Sequence, residues 1–505
     1  MGISKGNTIS DSNNNNGDDD THIDYTEDLE NLRSHIRAIT EQIMTLVKKR
    51  LDTAKAIGII KRSHGLEIID ERAEDDLRRY ILDRCDVMGL DRGIAGRLLS
   101  MLVVESRRVQ MSDGINEVSN KGQMDTPTSI FAKTRMLEEK GKRIVHLEIG
   151  EPNLGMSSRV RDALLKAIDD GRYHYTESRG IAPLREIIAE SISAKYGVNV
   201  NSSRDIIVTV GGRLAVSLAM LASLKYGDEV IVIEPTWPAY REISEFMGVK
   251  VRVLRSSLED SWSIDLDSLD RIMRIDGVKA IVLNYPNNPT GKILEYDKVA
   301  YIVDRARSKG MMVISDEVYS SLTFNTRFKS ILEYGYENSI VINSLSKSHG
   351  LTGLRLGYAV SYNSKVVEDM VRLQGMLLTC VPEPIQYTAI DAIKDDATVK
   401  RNVEVIGSRV RSICHELNIM KSKGIDLRFM EPDGAMYVFV MIPSCIEVNR
   451  LIDELLDHGV AVSPGSAFGS DEYCSRFIRI SASVDGDALL EGMRTLASIL
   501  ASKSV

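Results

Sequence analysis

Residues 341–358 read VINSLSKSHGLTGLRLGY: a short apolar run that ends in serines and a lysine and then opens into glycine-punctuated chain. Such a run reads as a strand buried on both faces, stopping where polar side chains begin. Four segments upstream repeat the pattern. IIVTV (206–210) runs into Gly211, Gly212 and Arg213, and VIVIE (230–234) runs into PTWPAY, which presents Trp237. AIVLN (280–284) leads to YPNNPTG with Asn288, and MMVIS (311–315) leads to DEVY with Asp316 and Tyr319. Helical stretches separate these runs, which predicts a largely parallel α/β sheet whose ligands bind at the carboxyl ends of the strands.

The 505 residues exceed one ordinary domain, so two or three are expected. A net charge of -8 gives no reason to expect nucleic acid or an anionic membrane as partner. No apolar run approaches the roughly 18 residues of a membrane span, and the polar N-terminus is unlike a signal peptide. Five scattered cysteines without a CxxC pair point to reduced thiols in a cytoplasmic protein. The eight histidines form no ligand-spaced cluster, so no metal site is expected.

Residues 1–24, with SDSNNNNGDDD, are polar and of low complexity, and read as a disordered tail. From Tyr25 onward Leu29, Leu32, Ile36, Ile39, Ile43 and Leu46 recur at steps of three and four. That is the seam of a long helix packed on other helices, with its stop at Gly65. Two further helical patterns follow, around 70–86 and 93–110, and the segment 112–126 reads as a linker to an α/β region over 127–505.

A lysine, a carboxylate, a phenol, an amide, an indole and a glycine-led helix start, all at strand ends, suit one flat, anionic, electrophilic cofactor. Pyridoxal phosphate needs a lysine for its Schiff base, an acid for its ring nitrogen and groups to hold its phosphate. These segments resemble the fold type I aminotransferases of class I/II over about 127–505, which implies a large mostly parallel-sheet domain and a smaller α+β domain. By that resemblance Lys347 is the Schiff-base lysine, and Ser344 and Arg355 hold the phosphate beside Gly212. Asp316 faces the pyridine nitrogen, Tyr319 and Asn288 the ring oxygen, and Trp237 stacks on the ring. Tyr175, in YHYTESRGIAPLR, reaches the phosphate of a neighbouring subunit. Arg479, in RFIRISAS, grips the substrate α-carboxylate near Gly150 of EIGEPN, with Asn288 on the substrate side as well. One departure is Arg213, where the family often has a small residue; it adds a phosphate contact or points to solvent.

The front helices are no DNA reader. Residues 25–111 hold 16 basic against 15 acidic side chains, and the first helix is too long for a helix-turn-helix. Continuing the seam past Leu46 lands on Arg50, Ala54, Ile57 and Lys61. Arg50 and Lys61 lie eleven residues apart, about 20° around an ideal helix. Cations at seam positions imply an anionic ligand meeting them there. With LRSHI at the front and VESRRVQ at the end, 25–111 resembles the all-helical chorismate mutases, a three-helix fold. Arg33, Arg50, Lys61, Asp70, Glu74, Ser106 and Gln110 fall on that family's active-site positions. The resemblance implies that the arginines bind carboxylates, Lys61 and Gln110 serve the breaking ether oxygen, and Glu74 the hydroxyl end. It also implies interlocked homodimers in which Arg33 crosses to the partner's site. The family's Arg-Glu pair is Ala73-Glu74 here.

The joint expectation is a bifunctional enzyme of aromatic amino-acid biosynthesis. It rearranges chorismate to prephenate and transaminates prephenate, phenylpyruvate or 4-hydroxyphenylpyruvate, with glutamate or aspartate as donor. The alternatives are an aspartate aminotransferase with an appended mutase, a pyridoxal-phosphate lyase, and a ligand sensor.

Overall fold

The computed structural model describes residues 25–66, 68, 70–112 and 127–503. The tail expected over 1–24 lies outside them, as does the linker expected over 112–126 apart from Ser112, which closes a helix. The described chain divides into two compact units. One holds the residues up to 71 together with 102–112, and the other holds 72–101 together with 127–503.

The first unit is built on α1 (Tyr25–Ser63) and the second half of α3 (Arg92–Ser112). α1 runs 39 residues and ends just before Gly65, whose φ of +66° is the left-handed conformation that stops a helix. The two helices approach closely at Gly58, where a Cβ would sit 2.8 Å from the Cα of Gln110. Their hydrogen bonds run from Arg50 to Arg62, which donates to the carbonyl of Gln110. The seam from Leu29 to Leu46 was expected to pack on other helices. Instead its six side chains remain 46–64% exposed, because α3 meets α1 only beyond that stretch. Ile57, also expected inward, is 44% exposed, and Gly58 takes the inner position.

The second unit includes α2 (Glu71–Met88) from Arg72 onward. Asp75 of α2 accepts from Arg252 Nη1 and Nη2 at 3.0 Å each and from Lys250 at 3.1 Å, and Arg78 pairs with the buried Glu229. Burial alone would raise the Asp75 carboxyl, but Arg252 and Lys250 hold it down at about 2. These bonds attach α2 to the sheet unit.

That sheet has seven strands: β2 (Ile206–Thr209), β3 (Glu229–Glu234), β4 (Lys250–Arg255), β5 (Val278–Asn284), β6 (Met312–Asp316), β7 (Ser339–Ser344) and β8 (Gly357–Val360). Their order is β2-β8-β7-β6-β5-β3-β4, and only β8 runs antiparallel to its neighbours. The five runs read as strands in the sequence are β2, β3, β5, β6 and β7. Apolar clusters cover both faces, as a near-continuous hydrophobic strand requires. Beyond the large sheet, β9 (Arg428–Phe429), β10 (Tyr437–Met441), β12 (Ser463–Pro464) and β13 (Phe477–Ser481) form a small antiparallel sheet. β1 (Val145–His146) pairs in parallel with β11 (Val460–Ala461). These pieces share a third core with the helix Asp396–Ser422 and make the smaller domain.

Candidate active sites

Neighbouring strands of the large sheet end side by side, and register sets what they present. Asn284, last of β5, pairs with Asp316, last of β6, and Asp316 pairs with Ile342 of β7, two residues before Ser344. Ser344 caps the one-turn helix Leu345–Ser348, accepting from the Ser346 N–H at 3.3 Å, and so turns Lys347 over the strand ends. A cavity of about 420 Å³ lies there. Lys347 donates to the carbonyl of Gly150, and its Nζ stands 5.9 Å from the centre of the Tyr319 ring.

Asp316 is buried on this floor. Its Oδ2 accepts from the Tyr240 hydroxyl at 2.6 Å and its Oδ1 from the Val318 N–H at 3.3 Å. Burial pushes its carboxyl up to about 6, against the pull of those bonds and of the Lys347 charge. A cation brought beside it would restore the ionised form.

The opposite end of the cavity is an anion cradle. The helix Gly211–Ser223 starts right after β2 with its free N–H groups at the cavity. Gly211 has φ +76°, and a Cβ on it would lie 2.7 Å from Arg355 Nη2, so only glycine lets the guanidinium approach. Arg355, itself at φ +53°, donates to the Thr352 carbonyl at 2.8 Å. Arg213 lines the cavity and is also 57% exposed; its guanidinium lies 4.6 Å above the Trp237 ring, and Nη1 is 4.0 Å from Glu242.

On the remaining wall Arg479 is almost wholly buried. It donates to Asn288 Oδ1 at 2.9 Å, to Ser463 Oγ at 3.3 Å and to the Glu148 carbonyl. The rings of Tyr437 and Phe468 flank it at 4.3 and 4.7 Å, and Tyr437 shares a 2.8 Å hydroxyl bond with Tyr319. Burial lowers the Arg479 pKa, yet guanidinium stays charged, so the cavity keeps a rigid, oriented cation.

Of the twelve residues named from the sequence for this site, eleven line the one cavity. The exception is Tyr175, which is 87% exposed and suits a residue directed at another chain. Sequence reading missed Tyr240, Tyr437, Glu148 and Ser463. Tyr240 was within reach, three residues after Trp237 on the same helix start. Tyr437 and Ser463 arrive through β10 and β12, whose pairing with β13 no local motif announces.

In the helical unit Arg50 donates to the Leu102 carbonyl at 3.0 Å and to Ser106 Oγ. Burial lowers its pKa. Ser106 and Gln110 are buried, and Gln110 Oε1 has no hydrogen-bond partner. Lys61 donates to the Ile68 carbonyl at 2.8 Å. Arg50, Ser106 and Gln110 therefore belong to one half-buried polar face between α1 and α3, while Lys61 bonds the chain that follows α1. Arg33 does not join them: it pairs with Glu30 on exposed helix, and 17 residues separate it from Arg50, roughly 25 Å of helix. Asp70 lies in this unit and Glu74 in the other.

Comparison with known proteins agrees with both regions. The family model for aminotransferase class I and II matches residues 142–496, and that for chorismate mutase type II matches residues 32–111. An aspartate aminotransferase of Sulfolobus acidocaldarius is 32% identical over 373 residues, 72% of this chain and 91% of the relative. A (5-formylfuran-3-yl)methyl phosphate transaminase of Methanocaldococcus jannaschii is 32% identical over 377 residues, 74% of this chain and 95% of the relative. Among solved structures, an aromatic aminotransferase of Pyrococcus horikoshii superposes with a TM-score of 0.68 at 30% identity, covering 74% of this chain and 100% of its own. The chain thus belongs to the class I and II aminotransferases, a pyridoxal-phosphate-dependent fold type I family, and is a fusion of that enzyme with a chorismate mutase domain.

Proposed function

We propose that the enzyme joins two consecutive steps of aromatic amino-acid biosynthesis: the mutase makes prephenate, and the aminotransferase accepts prephenate in preference to phenylpyruvate or 4-hydroxyphenylpyruvate. The observation that carries this reading is the set of cations lining one cavity. Besides Lys347 and Arg355 these are Arg479, which is buried, and Arg213, which stands over Trp237. Prephenate carries two carboxylates, so one matches Arg479 and the other Arg213, whereas phenylpyruvate has no second carboxylate to offer Arg213. The dicarboxylates glutamate and aspartate fit the same pair as amino donors.

The donor set fits pyridoxal phosphate. The buried Asp316 suits a protonated ring nitrogen, and Tyr319 and Asn288 suit the ring oxygen. The Gly211–Gly212 helix start, Ser344 and Arg355 suit the phosphate. When bound, the cofactor supplies an electron sink for the substrate carbon. The chain's own residues do the rest: Arg479 orients the α-carboxylate, Trp237 and Tyr437 exclude water, and Lys347 Nζ carries the proton to and from that carbon. In the mutase domain Arg50 and Lys61 meet the substrate's carboxylates and ether oxygen, with the Gln110 side-chain amide N–H as a further donor to the ether oxygen. The exposed apolar seam of α1 and the outward Tyr175 both suit a homodimer, and the five free cysteines suit the cytoplasm.

The test is to incubate purified protein with chorismate, glutamate and pyridoxal phosphate at neutral pH and identify products by mass spectrometry. Arogenate is the expected product. Prephenate accumulating without arogenate overturns prephenate as the transferase's substrate and leaves the mutase standing. A second reading, an aspartate aminotransferase with the mutase appended, is supported by the name of the Sulfolobus relative. Competition between oxaloacetate and prephenate for one amount of enzyme separates the two, because the better substrate has the higher kcat/KM.

A further inference from the structure

Behind the Arg479 wall a histidine stands between two carboxyl groups. His146 closes β1, and Glu148 follows two residues on. The His146 Nδ1 lies 2.8 Å from Glu148 Oε1, and its Nε2 lies 3.1 Å from Glu138 Oε1. Glu138 belongs to α4 (Pro127–Glu139), a helix that the wholly buried Ile130 seats in the core of the smaller domain. The second oxygen of each acid, Glu148 Oε2 and Glu138 Oε2, is buried without a hydrogen bond. Both carboxyl groups therefore lean on one imidazole, and a buried acid that loses its partner is costly.

The two acids lead to different walls of the catalytic cavity. The Glu148 carbonyl accepts from Arg479 and, at 3.0 Å, from Ser463 Oγ, and the Gly150 carbonyl accepts from Lys347. From the other side α4 brings Phe131 to the same cavity. His146 thus joins the segment that steadies Arg479 and Lys347 to the helix that presents Phe131. Its charge state decides how many bonds it makes. An imidazolium donates from both nitrogens, whereas a neutral imidazole donates from one and turns a lone pair to the other acid. Glu148 and then Glu138 hold the imidazole up at about 8, against the effect of burial. The neighbouring charges have other partners. Arg135 of α4 comes within 3.6 Å of Glu138 Oε2, and Lys142 faces Asp457 at 3.9 Å. Arg143 pairs with Glu491 of the helix Gly486–Lys503, which packs on β1, and Arg409 donates to the Ser483 carbonyl. The strand partner β11, Val460–Ala461, carries no charge.

We propose that His146 is a positioning residue of the transferase: protonated, it ties α4 and Phe131 to the segment that holds Arg479. On losing its proton it keeps the shorter bond, to Glu148, and releases Glu138, so the substrate wall loosens at alkaline pH. The inference rests on the reading of Arg479 as the partner of the α-carboxylate.

Two measurements test it. The first is hydrogen exchange of residues 127–139 in the substrate-free holoenzyme, followed by mass spectrometry and corrected for the intrinsic effect of pH on exchange. Protection of α4 should fall about tenfold between pH 7 and 9. In Glu138→Ala it should already be low at pH 7 and change little above it. The second is steady-state transamination of a 2-oxo acid from pH 6.5 to 9. Wild-type KM should rise about three- to tenfold with a smaller change in kcat. His146→Gln and Glu138→Ala should start at the raised KM and lack the rise. Titration of the cofactor and of the amino donor is common to all three proteins, so the difference between them reports His146. Exchange of α4 that ignores both pH and Glu138→Ala would overturn the proposal, as would an equal rise of KM in His146→Gln. Variants that lose kcat and melting temperature together, with KM unchanged, would make His146 purely structural and overturn it too. Arg479→Lys in the same assay isolates the underlying reading: an unchanged KM there removes the carboxylate assignment, while the exchange of α4 still judges the tie.

Discussion

The two units solve opposite problems with their buried charge. In the transferase cavity the two most deeply buried charged groups are held by neutral groups of the same chain: Arg479 by Asn288, Ser463 and a carbonyl, and Asp316 by Tyr240 and an N–H. These groups come from strands and turns far apart in sequence, and a large core fixes them. Among the described residues the helical unit shows no comparable core. The cations named for its site sit on α1, its apolar seam is exposed over six positions, and Arg33 stands far from Arg50. The transferase cavity gathers every residue named for it except Tyr175, whereas the helical unit gathers only Arg50, Ser106 and Gln110. That difference is what a second copy completing the helical site would produce.

The strongest way to break this comparison is to disable each site alone. Lys347→Ala removes the proton carrier and should cost transamination about 10³-fold or more, while mutase turnover stays within about twofold. Arg50→Ala should do the reverse, with a loss of about 10² to 10³ in mutase kcat/KM. Paired assays on each variant check both. A variant that loses both activities would mean that the two sites are not independent.

The second prediction concerns assembly. Replacing Ile36 and Ile39 by Asp puts two carboxylates on the exposed seam. Each isoleucine, if covered by a partner, contributes about 1.5–3 kcal/mol of burial. Mutase activity should therefore fall at least about tenfold and become dependent on protein concentration, with transamination unchanged. Dilution series of the two activities on the double variant read this directly. If the mutase is indifferent to both charges, the seam is solvent-facing in the working enzyme and one chain suffices.

Much of the transferase was legible because its signals are local. Each strand end announces itself as an apolar run meeting a polar residue, and the sheet then places those ends side by side. Trp237, Asn288, Asp316 and Lys347 each sit within a few residues of such an end. What stayed hidden depends on pairing between distant strands: Tyr437 reaches Tyr319 across 118 residues, and Ser463 reaches Arg479 by strand register. The helical unit was legible in its helix lengths and in the inward cations, for 3.6-residue periodicity fixes both. Its coverage was not, because periodicity shows that a face is apolar without saying which chain buries it. The stacking of Arg213 on Trp237 was hidden for a similar reason, since it depends on the start of another helix.

A third prediction sharpens the electrostatic side of the comparison. Arg479→Lys keeps the charge and loses the fork. Substrate KM should rise about 10- to 100-fold with a smaller change in kcat, because the α-carboxylate is held alike before and during reaction. The same exchange at Arg213 should raise KM for prephenate or glutamate and leave that for a monocarboxylic 2-oxo acid within about twofold. Steady-state kinetics on the pair decides which arginine reads which carboxylate.

The smallest effect is in stability against pH. Asp316 is raised by burial to about 6 in the folded protein, above its usual value of 3.8. Below pH 4 the acid is protonated in both folded and unfolded chain. Between 4 and 6 the folded chain keeps a proton that the unfolded chain has released. Stability from this group is therefore full at low pH and falls as pH rises through 6, by at most about 1.4 kcal/mol per pH unit. Glu317, raised to about 7, adds a loss of the same sign extending half a unit to a unit higher. Cofactor-free protein should show this slope between pH 4 and 7 as the part of its denaturant melts that Asp316→Asn removes, because His349, held down at about 4 by burial, contributes with the opposite sign in both proteins. Adding pyridoxal phosphate should flatten it too, because a ring cation beside Asp316 returns the carboxyl to the ionised form. Arg50 gives no such slope: though its pKa is lowered by burial, it stays charged throughout. Arg50→Ala should thus keep the whole pH dependence, and if the slope vanished with that change, the buried acids of the sheet would not be its source.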